Sequence, residues 1–517
     1  MNNNKQVDCC FIVTSNAKKS YQSLSKKYSA IEPPTWALLL SQSMRSFGFN
    51  VKIIDANAEE LNVKEIYEKV KKISPRLICF VVYGQNVNAG TTNMSGTILV
   101  SKYLKSKKIR IPISIIGSHV QALPLDTLNN EKSLDFVFTN EGVYSLKNIL
   151  KLDNFSIINL KDVKGIGYRD GKKSILTQPE KIVPNEKMDI DLPGYAWDLL
   201  PFKNKPLDLY RAPMWHAEYD FNKRTPYASL QTSLGCMFKC NFCMINILNR
   251  NNNDEVGVAS NYSNMRFWST DFIIKEFDKL ISMGVKTIRI VDEMFLLNPK
   301  YYIPLCEKLA HRNKDDSLRI WSYSRIDTVK RPEILKLVRK AGIKWLALGI
   351  ESGDKAIRLE VSKGKFEDVD VKKVIDKVHD ADINVMANYI YGLPGDTRET
   401  IKKTFDLSVD LCTAGWNTYG AMALPGSQLY KDALNKGTKL PDSYEGYSFH
   451  SYETQPLPTE TLSAADIISL RDEAFNKYHT NKSFLKLIEK KFGKAQADNI
   501  LNMTKIKLKR KIKGDQL

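Results

Sequence analysis

Eleven short β-branched or apolar runs recur along the chain, most of them followed by a stretch with helical periodicity, and this alternation narrows the fold more than any other feature. Parallel strands need a crossover between them, usually a helix, so alternating strands and helices predict parallel sheets covered on both faces. Five runs fall in the first 150 residues: Cys9–Ser15, Val51–Ile54, Leu77–Val82, Ile113–Ile116 and Asp135–Thr139. Helices are predicted over Thr35–Phe47, over Val63–Ile73, around Gly96–Lys105 and from Val143. This half reads as a doubly wound α/β domain, 1–150, whose ligand belongs at the carboxyl ends of its strands. The first strand runs into Thr14-Ser15-Asn16-Ala17-Lys18 without a glycine-rich fingerprint, which disfavours a nicotinamide or flavin site. Six further runs follow: Ala228–Thr232, Thr287–Val291, Arg319–Ser322, Trp345–Gly349, Val385–Tyr391 and Asn417–Ala423. Helical stretches at Thr270–Met283, Pro299–His311, Pro332–Ala341, Asp368–Ala381 and Thr397–Leu411 separate them. They predict a partial or full βα-barrel over 226–430, with its chemistry at the carboxyl-terminal face. Residues 151–225, broken by Pro193 and Pro201, read as a connector. Residues 431–517 read as helical, with helices near Ser463–Tyr478 and Lys482–Lys491.

Lys and Arg number 77 against 58 Asp and Glu, a formal charge of +19. Nucleic acid, a membrane surface, anionic substrates or a Lys-rich solvated surface each account for that excess. The densest stretch, Lys505–Lys513, reads as a frayed, solvated tail, and removing Lys505–Leu517 is expected to leave the chemistry intact. No apolar run approaches the roughly 18 residues of a membrane span. The polar start Met1–Gln6 leads straight into a strand, with no signal peptide visible, and a reducing cytoplasm is expected. Eight cysteines in a chain of this length make no disulfide scaffold.

Three of those cysteines crowd together. The segment Gln231–Leu248 carries Cys236-x3-Cys240-x2-Cys243 directly after a predicted strand. Thiolates are the usual ligands of iron–sulfur clusters. A cubane has four irons, so three cysteines leave one iron open to a small chelating molecule, as in other open metal sites. Structural zinc normally takes four protein ligands, and the closest candidates, His216 and Cys306, lie outside the motif.

With Phe242 immediately before the last cysteine, the motif resembles the signature of the radical S-adenosylmethionine (SAM) enzymes. The resemblance implies a 4Fe-4S cluster on Cys236, Cys240 and Cys243, whose open iron chelates SAM. Electron transfer would then cleave SAM to methionine and a 5′-deoxyadenosyl radical. Later segments match the family in order. Asp292 and Glu293 match the groups that hold the SAM amino end, although an acidic helix N-cap accounts for them too. Arg325 either meets the SAM carboxylate or pairs with Asp327. Glu351 and Ser352, bracketed by Gly349 and Gly353, match the segment at the ribose and methionyl parts. Asn388, Gly392 and Pro394 fall in the stretch beside the adenine, with Asn388 where the family often has glycine. Leu424–Ser427 matches a loop that often faces substrate.

The first 150 residues resemble the flavodoxin-like cobalamin-binding domain of one radical SAM subfamily, on Pro33-Pro34, Gly117-Ser118-His119 and Asn140-Glu141-Gly142. That subfamily includes the anaerobic magnesium-protoporphyrin ester cyclase type and many cobalamin-dependent, class B-type methyltransferases. The resemblance implies cobalamin held near Gly117, Ser118, His119, Glu141 and Gly142. The loop Ser15–Ser20 has no histidine, so cobalt would lack a protein ligand there. The expected activity is methylation of an unactivated carbon of a small molecule, fed by an external one-electron reductant such as flavodoxin or ferredoxin. The alternatives are an oxidative cyclisation or rearrangement, radical SAM chemistry without cobalamin, and a non-catalytic nucleic-acid or membrane-binding protein. A methylthiotransferase needs three more N-terminal cysteines, and only Cys9, Cys10 and Cys79 are at hand. No catalytic side chain is assigned. Trp215, His216, Tyr219, Tyr444, Tyr447, His450 and Tyr452 either line a substrate pocket or pack.

Overall fold

A strand that is apolar on both faces belongs inside a sheet covered on both sides. In a computed structural model, which describes residues 6–14, 16–84, 86–329, 331–361 and 366–517, the first sheet is built on that rule. Its parallel strands are β1 (Cys9–Val13), β2 (Val51–Asp55), β3 (Leu77–Val82), β4 (Ile113–Gly117) and β5 (Phe136–Phe138). Their order is β2-β1-β3-β4-β5, the flavodoxin-like order that the resemblance to a cobalamin-binding domain implies. β3 and β4 are buried along their whole length. Ser15, at the predicted end of the first strand, lies outside the described residues.

The connector does more than span a gap. β6 (Ile166–Asp170) and β7 (Lys173–Leu176) form an antiparallel hairpin that extends the first sheet to seven strands. These edge strands are short and partly polar, which hides them from a hydrophobic-run reading. The rest of the connector ties both halves together. The Tyr210 hydroxyl donates to Asp55 Oδ2 at 2.8 Å, and the Trp197 indole donates to Glu276 Oε2 at 3.2 Å.

The second large sheet has six parallel strands: β8 (Tyr227–Leu230), β11 (Thr287–Ile290), β12 (Arg319–Arg325), β13 (Ile343–Glu351), β14 (Asn384–Tyr391) and β15 (Gly415–Gly420). They pair in sequence order from β8 to β15, and among the described residues β15 and β8 do not pair, so the barrel is partial. A small antiparallel ribbon, β9 (Ser233–Cys236) with β10 (Asn264–Phe267), leads into the cysteine loop.

One apolar core runs from the inner face of the first sheet (Phe11, Leu77, Cys79) through Trp197 and Tyr210 into the barrel (Ile288, Leu346, Val385). A second core lies behind the first sheet, on Cys10, Ile12, Ile78 and Phe80. Successive strand side chains point to opposite faces, so Cys9 and Cys10 enter different cores. They cannot join Cys79 around a second cluster. Among the described residues no helix is long and apolar enough to cross a membrane.

Two buried ion pairs cross the seam between the sheets. Glu32 receives both Arg289 Nη1 contacts at 2.6 Å, and Arg266 Nη2 donates to Glu141 Oε2 at 2.7 Å. Arg266 also donates to Val183 O at 2.7 Å and to Asn249 Oδ1 at 2.9 Å. Removing one partner strands the other charge, which costs about 3–5 kcal/mol. Arg266→Met is therefore expected to lower the denaturation midpoint sharply in a urea titration. A midpoint unchanged from the wild type would show that the pair does not hold the seam.

Candidate functional site

The carboxyl ends of both parallel sheets point into the space between them. Where β1 diverges between β2 and β3, a crevice opens, as doubly wound sheets require. It forms a first cavity of about 1130 Å³, its mouth included, walled by Thr14, Asn16, Pro33 and Pro34 on one side and by Gln231, Val291 and Glu293 of the barrel on the other. A second cavity of about 1630 Å³, mouth included, lies over the barrel face. Tyr21, Asn86, Ala89, Thr92, Ile245 and Glu293 line both cavities, so the two share a wall.

Cys236, Cys240 and Cys243 all line the second cavity. Their loop is fixed by its own amides. Asn246 Oδ1 accepts from Cys236 N–H at 2.8 Å, and its Nδ2 donates to Cys236 O at 3.0 Å. Gly235 starts the loop at φ +86°, where a Cβ would overlap the Asn264 carbonyl oxygen. Glycine reaches this conformation without strain. Burial pushes the thiols of Cys236 and Cys240 up to about 12 and that of Cys243 higher still. Thiols this reluctant to ionise become ligands when a metal displaces their protons. Among the described residues no three His, Cys, Asp or Glu side chains converge as one ion requires. Cysteines that each hold a different iron of a cluster need not converge on one point.

Three of the charged residues singled out in the sequence stand around this loop. Glu293 lines both cavities, and its buried Oε1 has no protein partner. Burial raises its carboxyl to about 7, with Asp292 adding to the rise and Arg289 opposing it. Glu351 lines the second cavity, and burial likewise raises it to about 7 against the pull of Arg325. Arg325 both lines the cavity and pairs with Asp327, at 2.6 and 2.5 Å, so its two readings are not exclusive. Its guanidinium lies 3.7 Å from the Phe238 ring centroid. Phe242 and Asn388 line the same space.

The remaining sequence candidates stand elsewhere. Asp292 accepts from Thr232 N–H, Thr232 Oγ1 and Ser233 Oγ, each at 2.6 Å, and so braces the turn before the cysteine loop. It lines neither cavity and caps no helix. Ser352 is fully buried against Thr404, at 3.3 Å between hydroxyls. Gly392 packs under Ile467, and Pro394 is exposed. None of Gly117, Ser118, His119, Glu141 and Gly142 lines either cavity. His119 bonds Thr91 at 3.3 Å and stacks edge-on with Tyr444. Glu141 is taken by Arg266. A Cβ at Gly117 would overlap the Val82 carbonyl. The groups that face the first cavity are instead Asn16, Pro33, Pro34 and the orphaned Gln231 Oε1 and Glu293 Oε1. Buried acceptors without partners fit a ligand rich in amide N–H donors, such as cobalamin.

The far wall of the second cavity is formed by Ile390, Tyr419, Met422, Leu424, Phe449 and His450, with Tyr447 beside them. Sequence reasoning reached Leu424, Tyr447 and His450 and missed Tyr419, Met422 and Phe449. Of the aromatic candidates, Tyr447 and His450 are thus in the cavity. Trp215, His216 and Tyr219 pack against Trp321 and Trp345. Tyr444 donates to Glu131, and Tyr452 to the Asp515 carbonyl. The basic tail is also not a frayed one. Arg510 is fully buried and donates to Phe449 O at 2.8 Å, Ser451 O at 3.0 Å and Asp472 Oδ1 at 2.8 Å. Gln22 clamps the same strap, donating to His450 O at 2.8 Å and Lys509 O at 3.0 Å. Five lysines within 505–513 give the stretch its charged look, but one arginine in it docks the strap that closes the cavity.

The family model of the radical SAM superfamily matches residues 230–408, and that of the B12 binding domain matches residues 24–150. The chain is 23% identical over 487 residues to the anaerobic magnesium-protoporphyrin IX monomethyl ester cyclase of Cereibacter sphaeroides, covering 89% of this chain and 68% of that protein. It is 26% identical over 433 residues to an uncharacterized methyltransferase of Pyrococcus horikoshii, covering 83% and 84%. Its fold superposes with a TM-score of 0.65 and 12% identity on TsrM of Kitasatospora setae, a radical S-adenosylmethionine methyltransferase solved with cobalamin and a 4Fe-4S cluster. That match covers 97% of this chain and 100% of TsrM.

Arg510→Ala, or removal of Lys505–Leu517, is expected to free the strap, seen as faster limited proteolysis within 443–454. Unchanged cleavage would restore the solvated-tail reading. The raised carboxyls also set a pH slope. Below about 4.5 Glu293 is protonated whether folded or unfolded, and between there and about 7 only the folded chain keeps its proton. The Glu293 contribution to the stability of the metal-free protein therefore falls as pH rises through that window. Across it, the slope of the urea midpoint against pH should be more positive for Glu293→Gln than for the wild type.

Proposed function

Because the chain belongs to the radical SAM enzymes that carry a B12-binding domain, we propose that it methylates an unactivated carbon of a neutral, apolar small molecule. When bound, the cluster and SAM supply a carbon radical, and cobalamin supplies a transferable methyl group. The observation that carries this reading is the shared wall. A cysteine-lined cavity and a switch-point crevice adjoin at Glu293, Ile245 and Asn86, so a substrate held there would face both cofactors.

The residues divide the work. Cys236, Cys240 and Cys243 hold the cluster. Glu293, Arg325 and Glu351 surround the position that the charged amino-acid end of SAM would take. Gln231 and Glu293 offer acceptors to the amides of cobalamin. The far wall takes the substrate: Ile390, Met422, Leu424 and Phe449 exclude water and carry no charge. His450 is the polar handle in that wall. Its buried Nδ1 has no partner, and burial, with Arg471 and Arg510 nearby, holds its pKa well below the usual value. It stays neutral and orients substrate by hydrogen bonding. Water exclusion matters because a carbon radical must not be quenched before it meets the substrate. A small-molecule substrate and an external one-electron donor, flavodoxin or ferredoxin, complete the reaction.

The test uses the full chain, reconstituted anaerobically with iron, sulfide and hydroxocobalamin, then given SAM with a deuterated methyl group and a reductant. Equimolar retained cobalamin, 5′-deoxyadenosine, and deuterium in the product of an apolar substrate are expected. Cys240→Ala should lose the brown absorbance and all deoxyadenosine. Deoxyadenosine with a ring-closed, unlabelled product would favour the cyclase-type reaction instead.

A further inference from the structure

Asn88 belongs to the segment that leaves β3 of the first sheet, yet its carboxamide lies against the cysteine loop of the barrel. Its Oδ1 accepts from Met244 N–H at 2.9 Å. The Met244 contact sets the orientation of the carboxamide, because an N–H there needs an oxygen and not an NH2 group. Both ends of the carboxamide then stand 3.7 Å from Cys243 Sγ: Nδ2 as a donor to the sulfur, and Oδ1 as the acceptor of the thiol proton. Once the sulfur is a thiolate it has no proton to give, and Nδ2 is the atom that hydrogen-bonds it. Asn88 also lines the second cavity, while its neighbours Asn86 and Ala89 line both.

We propose that Asn88 is a positioning residue through which the B12-binding domain sets the reduction potential of the cluster. The proposal rests on the reading of Cys236, Cys240 and Cys243 as cluster ligands. An N–H dipole aimed at a thiolate sulfur stabilises the more negative, reduced cluster more than the oxidised one, so the contact raises the potential. Outer contacts of this kind tune a metal site without touching the metal. Cys236 Sγ accepts its contact from Phe238 N–H at 3.4 Å, within the cysteine loop itself. The Cys243 contact differs, because it comes from another domain, on a segment that borders the first cavity. An occupant of that cavity packs against the backbone carrying Asn88 and keeps the donor in place. By linkage, whatever the occupant does to the potential, reduction does to the occupant's affinity.

The experiment is an EPR-monitored redox titration of the reconstituted full chain, with and without hydroxocobalamin. Asn88→Asp keeps the shape and the oxygen for Met244 but replaces the donor with a carboxylate. Asn88→Ala removes both contacts. Each variant is expected to lower the ratio of reduced to oxidised cluster at a fixed potential by about tenfold, equivalent to ~59 mV for one electron. Cobalamin should shift the wild-type midpoint and leave that of Asn88→Ala unmoved. With asparagine labelled by nitrogen-15, pulsed EPR of the wild type should find a coupled asparagine nitrogen that Asn88→Asp lacks. Unchanged midpoints in iron-replete variants overturn the proposal. If a variant fails to hold iron, the labelled wild type decides, and an absent coupling overturns it. A wild-type chain that binds no iron would instead sink the cysteine reading, and its iron content is measured first.

Discussion

Charge buried across the seam between the two sheets is the constraint on which the rest of the molecule depends. Glu32 and Arg289 are both almost wholly buried, and the guanidinium stacks 4.6 Å from the Trp321 centroid. Its Nη2 also meets the Tyr323 hydroxyl at 3.3 Å. Desolvating two such charges is expensive, and attraction repays it only where geometry is good and further hydrogen bonds are made. An apolar seam would be cheaper, but its two faces would close on each other like any core. Ion pairs of fixed reach hold the sheet edges at a set spacing while leaving the crevice at β1 and β3 open. Glu32 lines the first cavity, Tyr323 lines the second, and Arg289 joins them.

The second cavity is consequently a two-sided place. Its charged groups cluster by the cysteine loop, where Glu293, Arg325 and Glu351 lie close to atoms that gain or lose charge. Its opposite side carries no charge: Ile390, Met422, Leu424 and Phe449 stand there with Tyr419, Tyr447 and a histidine that burial keeps neutral. The far side is built from Ile390 of β14, Tyr419 of β15 and the strap that carries Tyr447, Phe449 and His450, and Arg510 fastens that strap from a segment that looks entirely solvated. The excess of positive charge and the closure of the site thus meet in one residue. Other arginines, among them Arg266, Arg289 and Arg471, are buried as well, while charges on exposed lysines form surface pairs that contribute little.

What the sequence reveals follows from range. The βα alternation and the cysteine spacing are local patterns, and the alternation is what the structure builds into its two parallel sheets. The β6–β7 hairpin escapes notice because its short edge strands carry Arg169, Asp170 and Lys173. Asp292 shows how a local match misleads: the acidic pair ends the right strand, but Thr232 and Ser233 claim the first carboxylate and leave only Glu293 open. Ser352 and Gly392 fit a motif yet pack against Thr404 and Ile467, and Pro394 is exposed. The predicted cobalamin loops fare similarly, since Gly117 and Glu141 do structural work while the cavity opens on Asn16, Pro33 and Pro34. Tyr447, His450 and Arg510 reach the site from more than 200 residues past the cysteines, a distance no periodicity spans.

The shared wall also limits how the two cavities can act. Six residues face both, so a ligand that orders one side of the wall changes the surface that the other ligand meets. Coupling of this kind needs differential contacts, and Glu293 provides one: a single carboxylate with one orphaned oxygen cannot satisfy donors in both cavities at full strength. The hydrogen bond it accepts from one occupant is withheld from the other. A site built from two independent clefts would avoid that competition. Here the competition is the consequence of placing a substrate where two cofactors must both reach it, because the thinnest wall that keeps them apart is a single layer of side chains.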